Sequence, residues 1–299
     1  MRANEAIGLV LARPARLLGT EPFFMEFIAG IEETLSERGH SLLLHIVQHQ
    51  DEEIATHRRW AERSLVAAVV LVNVTTSDRR PAVLRELGMP AVIAGGLRDE
   101  PGIPAVSTDA AGAMREALER LLVLGHRRIA RVTGPAGLLH TRVRSDTMRA
   151  ECAAAGIEPQ LVEGDYSPQA GERLTAALLS GPRRPTAILY DNDVMAIAGL
   201  GAARAAGVAV PAELSLVAWD DSAMCRLTSP PFTTMTVDVH LFGTLVADSV
   251  LELIEGRPVG EGWGPPPPLP PPQNPPPPPQ DPPLPPPPPP PPPPSSPPP

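Results

Sequence analysis

Cysteine is nearly missing from this chain of 299 residues, which holds only Cys152 and Cys225. Two such distant thiols build neither a disulfide framework nor a cysteine-based metal site, and they fit a reducing compartment. Aromatic residues are scarce at 3%. No apolar run reaches the roughly 20 residues needed to cross a bilayer, so no membrane partner is expected. The first residues, MRANEAIGLVLARPARLL, lack the unbroken apolar core and small-residue cleavage site of a secretory signal, and a cytoplasmic location is expected. Catalytic signatures are missing too. There is no GxSxG, no P-loop and no Cys/His nucleophile arrangement, and Gly199-Leu200-Gly201 lies inside a helical pattern rather than at a strand-to-helix turn. His45 and His49 are four apart but fall in or just after a strand and lack the Glu of HExxH, so neither metal nor cofactor is expected. A net charge of −9 and a pI near 5.3 argue against a broad phosphate-binding face.

Proline, by contrast, is abundant, and 27 of the 42 prolines fall between Pro265 and Pro299. Such a run neither donates backbone hydrogen bonds nor buries a core. A Pro-rich tail over 264–299 is therefore expected to lie outside the fold. Ahead of it, short apolar runs alternate with amphipathic segments. Strands are expected at Glu5–Leu11, His40–Val47, Leu65–Val72 and over PAVIAG, with helices between them after the turn at Gly19–Pro22. A second series follows from LGHRRIARVTG, with a helix over Arg142–Ala155 and strands at Thr186–Tyr190 and Leu214–Trp219. Alternation of this kind marks an α/β protein with parallel sheets covered on both faces, here as two similar lobes. Thr233–Val239 reads as a further strand and Leu241–Ile254 as a last helix.

Polar groups mass where the later strands end. Thr186–Tyr190 discharges into Asp191-Asn192-Asp193, and Leu214–Trp219 into Asp220-Asp221. Ligand crevices of open α/β sheets lie at the carboxyl ends of the strands, so acids and an amide there suit a polar molecule. Each residue also has a plainer role. The 191–193 group can cap a helix, Asp220-Asp221 can be a surface turn, and Asp109 can be an N-cap. Arg144 sits in a basic helix start with Arg142 and Arg149 that reads as a solvated face, and Phe23 and Phe24 can be core.

The ordered pieces IGLVL, EPFF, LGHRRIARVTGP, AAGIEP, PTAILYDNDVMA, GVAVPAELSLVAWDD and SPPFTTM together resemble the effector-binding core of the LacI/GalR (lactose and galactose repressor) family of bacterial transcription regulators. The resemblance implies a two-lobed periplasmic-binding-protein-like fold of type I. It divides the chain into a first lobe of 5–123 plus about 236–256 and a second of 124–235. It also implies a homodimer and a small effector, usually a sugar or nucleobase-like metabolite, bound between the lobes by Phe23, Phe24, Asp109, Arg144, Asn192 and Asp220. The phenyl rings suit the apolar face of a sugar ring, and Arg144 offers a fork of donors. Asp220 accepts hydroxyls, and Asn192 both donates and accepts.

Some positions depart from the family. Ala110 stands where Asn is usual, and Val237 replaces a polar residue. Prolines begin where a strand returning to the second lobe is usual. The family's helix-turn-helix headpiece has no counterpart here, so operator DNA is expected to be reached only through a headpiece this chain lacks. Two rival readings share the fold features: a periplasmic-type sugar receptor for transport, and an enzyme using Asp220 or Asp191 as a base.

Overall fold

In a computed structural model of the chain, residues 6–14, 21–95, 102–235, 237–259 and 262–264 are described. The first strand, β1 (Ala6–Ala12), is buried along its apolar centre, as a strand covered on both faces must be. Helix α1 (Pro22–Glu37) opens with Pro at its first turn and buries Phe24, Phe27, Ile31 and Leu35, one stripe at helical spacing. Then come β2 (Ser41–Val47), α2 (Gln50–Glu62), β3 (Ala68–Leu71), α3 (Arg80–Glu86), β4 (Ala91–Ala94) and β5 (Ala105–Thr108). With the late strand β11 (Gly262–Gly264) they form a six-stranded parallel sheet in the order β11-β5-β4-β3-β1-β2.

The second sheet is built from β6 (Ile129–Thr133), β7 (Gln160–Glu163), β8 (Ala187–Tyr190), β9 (Ser215–Trp219) and β10 (Thr233–Met235), ordered β10-β9-β8-β6-β7 and again parallel. Helices α4 (Ala110–Val123) and α5 (Leu139–Ala154) cover one face, and α6 (Pro168–Ser180) and α7 (Asp193–Ala205) the other. The short α8 (Ala223–Leu227) and the long α9 (Val239–Ile254) complete the helices among the described residues. Four separate apolar clusters result, one on each face of each sheet. This is the two-lobed α/β architecture expected from strand and helix alternation.

Several boundaries differ from the sequence reading, each for a physical reason. Helix α4 does not belong with the first lobe. Its Met114, Ala117, Leu118 and Leu121 pack with Ile129, Met148 and Trp219 of the second, because the chain crosses over between β5 and α4, at Asp109. β5 carries no strand signal in the sequence, because AVST buries only Val106 and has no apolar run. The strand expected over Thr233–Val239 ends at Met235, and Asp238 caps α9, which packs Phe242, Val246 and Val250 into the first-lobe core. Gly264 ends β11 rather than opening the tail, and β11 pairs with β5 in the first sheet, not in the second lobe. Glu5, Gly19, Thr20 and the prolines from Pro265 onward lie outside the described residues.

The lobes also meet away from the crossovers. Thr75 and Leu138 form an isolated antiparallel bridge, and Leu139 N–H donates to Val74 O at 2.9 Å.

Candidate functional site

A cavity of about 430 Å³ opens between the carboxyl ends of the two sheets. All six residues singled out from the sequence (Phe23, Phe24, Asp109, Arg144, Asn192 and Asp220) line it. The first lobe contributes the start of α1, and the second the ends of β8 and β9 and the first turns of α5. These are the positions where parallel strands stop and helices begin, so their side chains converge on one space.

The six do not play equal parts. Arg144 is buried, stacks with its guanidinium carbon 3.4 Å from the Trp219 ring centroid, and leaves its Nε without a protein partner. Trp219 packs against the guanidinium, and Nη1 lies 3.8 Å from Asp191 Oδ1, so the group is held from two sides in the cavity wall. Asp220 stands beside it at a left-handed backbone angle, φ +71°, which turns the half-buried carboxylate out of the strand. Burial and the nearby carboxylates Asp193, Asp191 and Glu21 push its pKa up to about 7 against the pull of Arg144. Asp220 is thus poised between an acceptor-only carboxylate and a donor-bearing acid near neutrality.

Asn192 is more committed than its amide suggests. Its Oδ1 accepts from Met195 N–H at 2.9 Å as the cap of α7, and its Nδ2 donates to Tyr166 O at 3.1 Å. Asp109 likewise caps α4, accepting from Gly112 N–H at 2.7 Å. The capping roles weighed for both are present, and each residue still borders the cavity. Phe24 is core, packed with Phe27 and Ile31, while Phe23 is half-buried and meets it edge-on at 5.4 Å.

Asp191 faces inward to a structural task. Arg131, wholly buried on β6, donates to Asp191 from Nε and from Nη2 at 2.8 Å each, and Gly134 N–H adds a third donor at 2.8 Å. Although burial raises its pKa, Arg131, Arg144 and Gly134 hold the carboxyl below the usual range. A carboxylate so tightly bound is a poor base, which weakens the enzymatic reading for this residue.

The lining residues not singled out from the sequence include four polar or aromatic ones, Arg13, Glu21, His140 and Tyr166. Arg13 pairs with the buried Glu21, and its guanidinium lies 4.9 Å from the Phe24 centroid and 5.0 Å from that of Tyr166. Tyr166 bonds through its hydroxyl to His140 Nε2 at 2.8 Å. Burial, with Arg144 and Arg13 nearby, pushes His140 down to about 3, so its imidazole is neutral, and burial lifts the Tyr166 phenol to about 12. Arg13, Glu21 and Tyr166 sit in loops without periodicity, and His140 reads as one polar residue in a polar helix start. Only the short reach from Glu21 to the Phe23-Phe24 pair could have drawn attention to them.

Comparison with known proteins places this architecture. A profile described as a periplasmic binding protein-like domain matches residues 118–269. The regulator CelR of Thermobifida fusca is 30% identical over 265 residues, covering 86% of this chain and 76% of its own. The chain belongs to the LacI/GalR family of transcriptional regulators. Another member, the repressor CytR of Escherichia coli K12, is 29% identical across 81% of this chain and 72% of its own. Among solved structures, a LacI family regulator from Bifidobacterium animalis subsp. lactis aligns with a TM-score of 0.81 at 34% identity, covering 88% of this chain and 94% of that one. CelR in complex with cellobiose aligns with a TM-score of 0.79 at 28% identity, covering 88% and 82%. Family membership accounts for the order of the two sheets and for the cleft between them. It makes regulators, not enzymes, this chain's relatives.

Proposed function

We propose that this chain is the ligand-sensing core of a LacI-type DNA-binding regulator, and that it holds a small polar effector of the sugar class in the cleft between its lobes. One observation carries the reading. Arg144, with a buried Nε that no protein group satisfies, stacks on Trp219 next to the half-buried Asp220, inside the cavity that both lobes line. Buried donors are ordinarily satisfied, so a guanidinium in the cavity wall with one donor left over suits acceptors on a ligand. Asp220 supplies acceptors for hydroxyls, and the Phe23 edge supplies apolar surface for a ring. The cellobiose complex of CelR supports the sugar class.

The effector works by differential contact. A molecule touching both lobes favours the lobe angle at which both sets of contacts are made, and in a cytoplasmic homodimer that shift changes how DNA-binding headpieces meet an operator. A thermal-shift screen of sugars, polyols and nucleobases tests the reading, since a ligand of the folded state raises its melting temperature. Arg144→Ala and Asp220→Ala are each expected to weaken the best ligand at least tenfold, about 1.4 kcal/mol. Affinities within a few-fold of the parent for both variants overturn it.

A further inference from the structure

The space between the lobes is not one chamber. A second cavity of about 410 Å³ lies alongside the first, beyond the ends of β1 and β2, with Gln48, His49 and Asp165 among its walls. The two cavities share Arg13, Val72, Asn73 and Tyr166, so these four form the partition between them. Thr75 and Leu138, the residues of the bridge between the lobes, also border the second cavity.

The partition is held from both lobes. Arg13 is fixed by its ion pair with Glu21, and its guanidinium lies between the rings of Phe24 and Tyr166. Its side chain is only 12% exposed, so it fills the gap rather than fraying into solvent. Tyr166 comes from the other lobe at φ +68°, a strained angle for a bulky residue, which persists only when its surroundings enforce it. Those surroundings are the His140 bond to its hydroxyl and the Asn192 bond to its carbonyl. Among the described residues shared by the two chambers, removing the guanidinium would leave only the short Val72 and Asn73 from the first lobe.

We propose that Arg13, seated against Tyr166, is a specificity-determining residue that limits the length of the effector. It ends the first chamber and keeps the second closed to a saccharide that would otherwise run through both. The inference rests on the reading of the cleft as a saccharide site and adds to it which members of that class are admitted.

The test is calorimetric titration of the full chain with glucose and with its β-1,4- and α-1,4-linked oligomers of about two to five units. The parent protein is expected to bind short members and to lose at least tenfold in affinity, about 1.4 kcal/mol, once the chain outgrows the first chamber. Arg13→Ala and, from the other lobe, Tyr166→Ala are expected to abolish the tenfold difference between short and longer oligomers, whatever either does to the affinity for the short ones. Arg13→Lys, which keeps a long cationic side chain in the gap, is expected to keep the parent's length profile. An unchanged circular dichroism spectrum and a cooperative thermal melt distinguish an opened partition from a misfolded variant. An unaltered length profile in both alanine variants, or a parent that binds the longest members as tightly as the shortest, overturns the length gate alone. Absence of binding by every saccharide to the parent and to the variants overturns the saccharide reading, and the gate with it.

Discussion

At the scale of single residues, the molecule is governed by charges that have little contact with water. Asp220 illustrates the tension between stability and binding. Its folded pKa of about 7 lies above its ordinary 3.8, so the folded chain holds a proton that the unfolded chain has already released. The stabilising contribution of that proton is fully present below pH 4 and is lost as pH rises through 7. Asp220→Asn, permanently neutral, is therefore expected to melt at a higher temperature than the parent at pH 8 and to show little difference at pH 5. The same carboxylate must be ionised to accept hydroxyl protons at all its lone pairs, so effector affinity is expected to rise over the interval in which stability falls. A parallel fall of both with pH would contradict the role given to Asp220.

His57 carries the opposite sign. Buried on α2 with neither ring nitrogen bonded, it is pushed down to about 4 by burial and by the Arg80 charge. The unfolded chain takes up that proton first, so stability present above pH 6.5 is lost as pH falls towards 4. His57→Leu removes two unsatisfied buried nitrogens, each a liability of about 1–3 kcal/mol. Its advantage in melting temperature over the parent is expected to widen between pH 7 and pH 5. No widening would mean that His57 finds a partner in solution. Arg131→Met addresses one of the buried ion pairs. By leaving Asp191 with only the Gly134 amide and Arg144 at 3.8 Å, it is expected to cost about 3 kcal/mol in a denaturant titration.

At the scale of elements, the placement of the site depends on how closely helices approach. Helices α1 and α9 cross at Gly30 and Gly243, where an added Cβ would come within 2.1 Å of His240 O and 2.3 Å of Phe27 O. Contact that tight tolerates only glycine, and it draws the start of α1, with Phe23 and Phe24, over the cleft. Gly30→Ala forces the helices apart and is expected to destabilise by about 1–3 kcal/mol, with a measurable loss of effector affinity as the Phe23-Phe24 turn shifts. Equal stability of variant and parent by denaturant titration would show that α1 can move without cost. The elements also mark where sequence reading succeeds. Buried parallel strands such as IGLVL and AILY announce themselves as apolar runs bounded by helix caps. β5 does not, because one buried side chain in AVST leaves no pattern, and its place in the sheet comes from pairing with β4 and β11.

At the scale of the whole molecule, two lobes meet through chain crossovers at Asp109 and near Asp238, through a backbone bridge and through the Arg13–Tyr166 contact. The bridge offers a local reporter. The Leu139 amide, bonded to Val74 O across the cleft, is expected to exchange its hydrogen more slowly when a saturating effector is present. Amide exchange at Leu139, and at Thr76 whose N–H donates to Gly137 O at 3.2 Å, that is indifferent to ligand would mean that binding leaves the lobe angle unchanged.

Local pattern alone was enough to determine the alternation of strand and helix, the two-lobed class, and the clustering of acids and an amide where β8 and β9 end. These follow from short-range physics: apolar runs must be buried, and caps must satisfy the first turn of a helix. Tertiary structure decided the rest. It assigned α4 to the second lobe, spent the amide of Asn192 and the carboxylate of Asp109 on helix caps, and committed Asp191 to Arg131. It also brought Arg13 and Tyr166, 153 positions apart, face to face. Each of these depends on which distant side chain arrives at a given atom, and the identity of a hydrogen-bond or ring partner is a property of the packed fold rather than of the residues beside it in the chain.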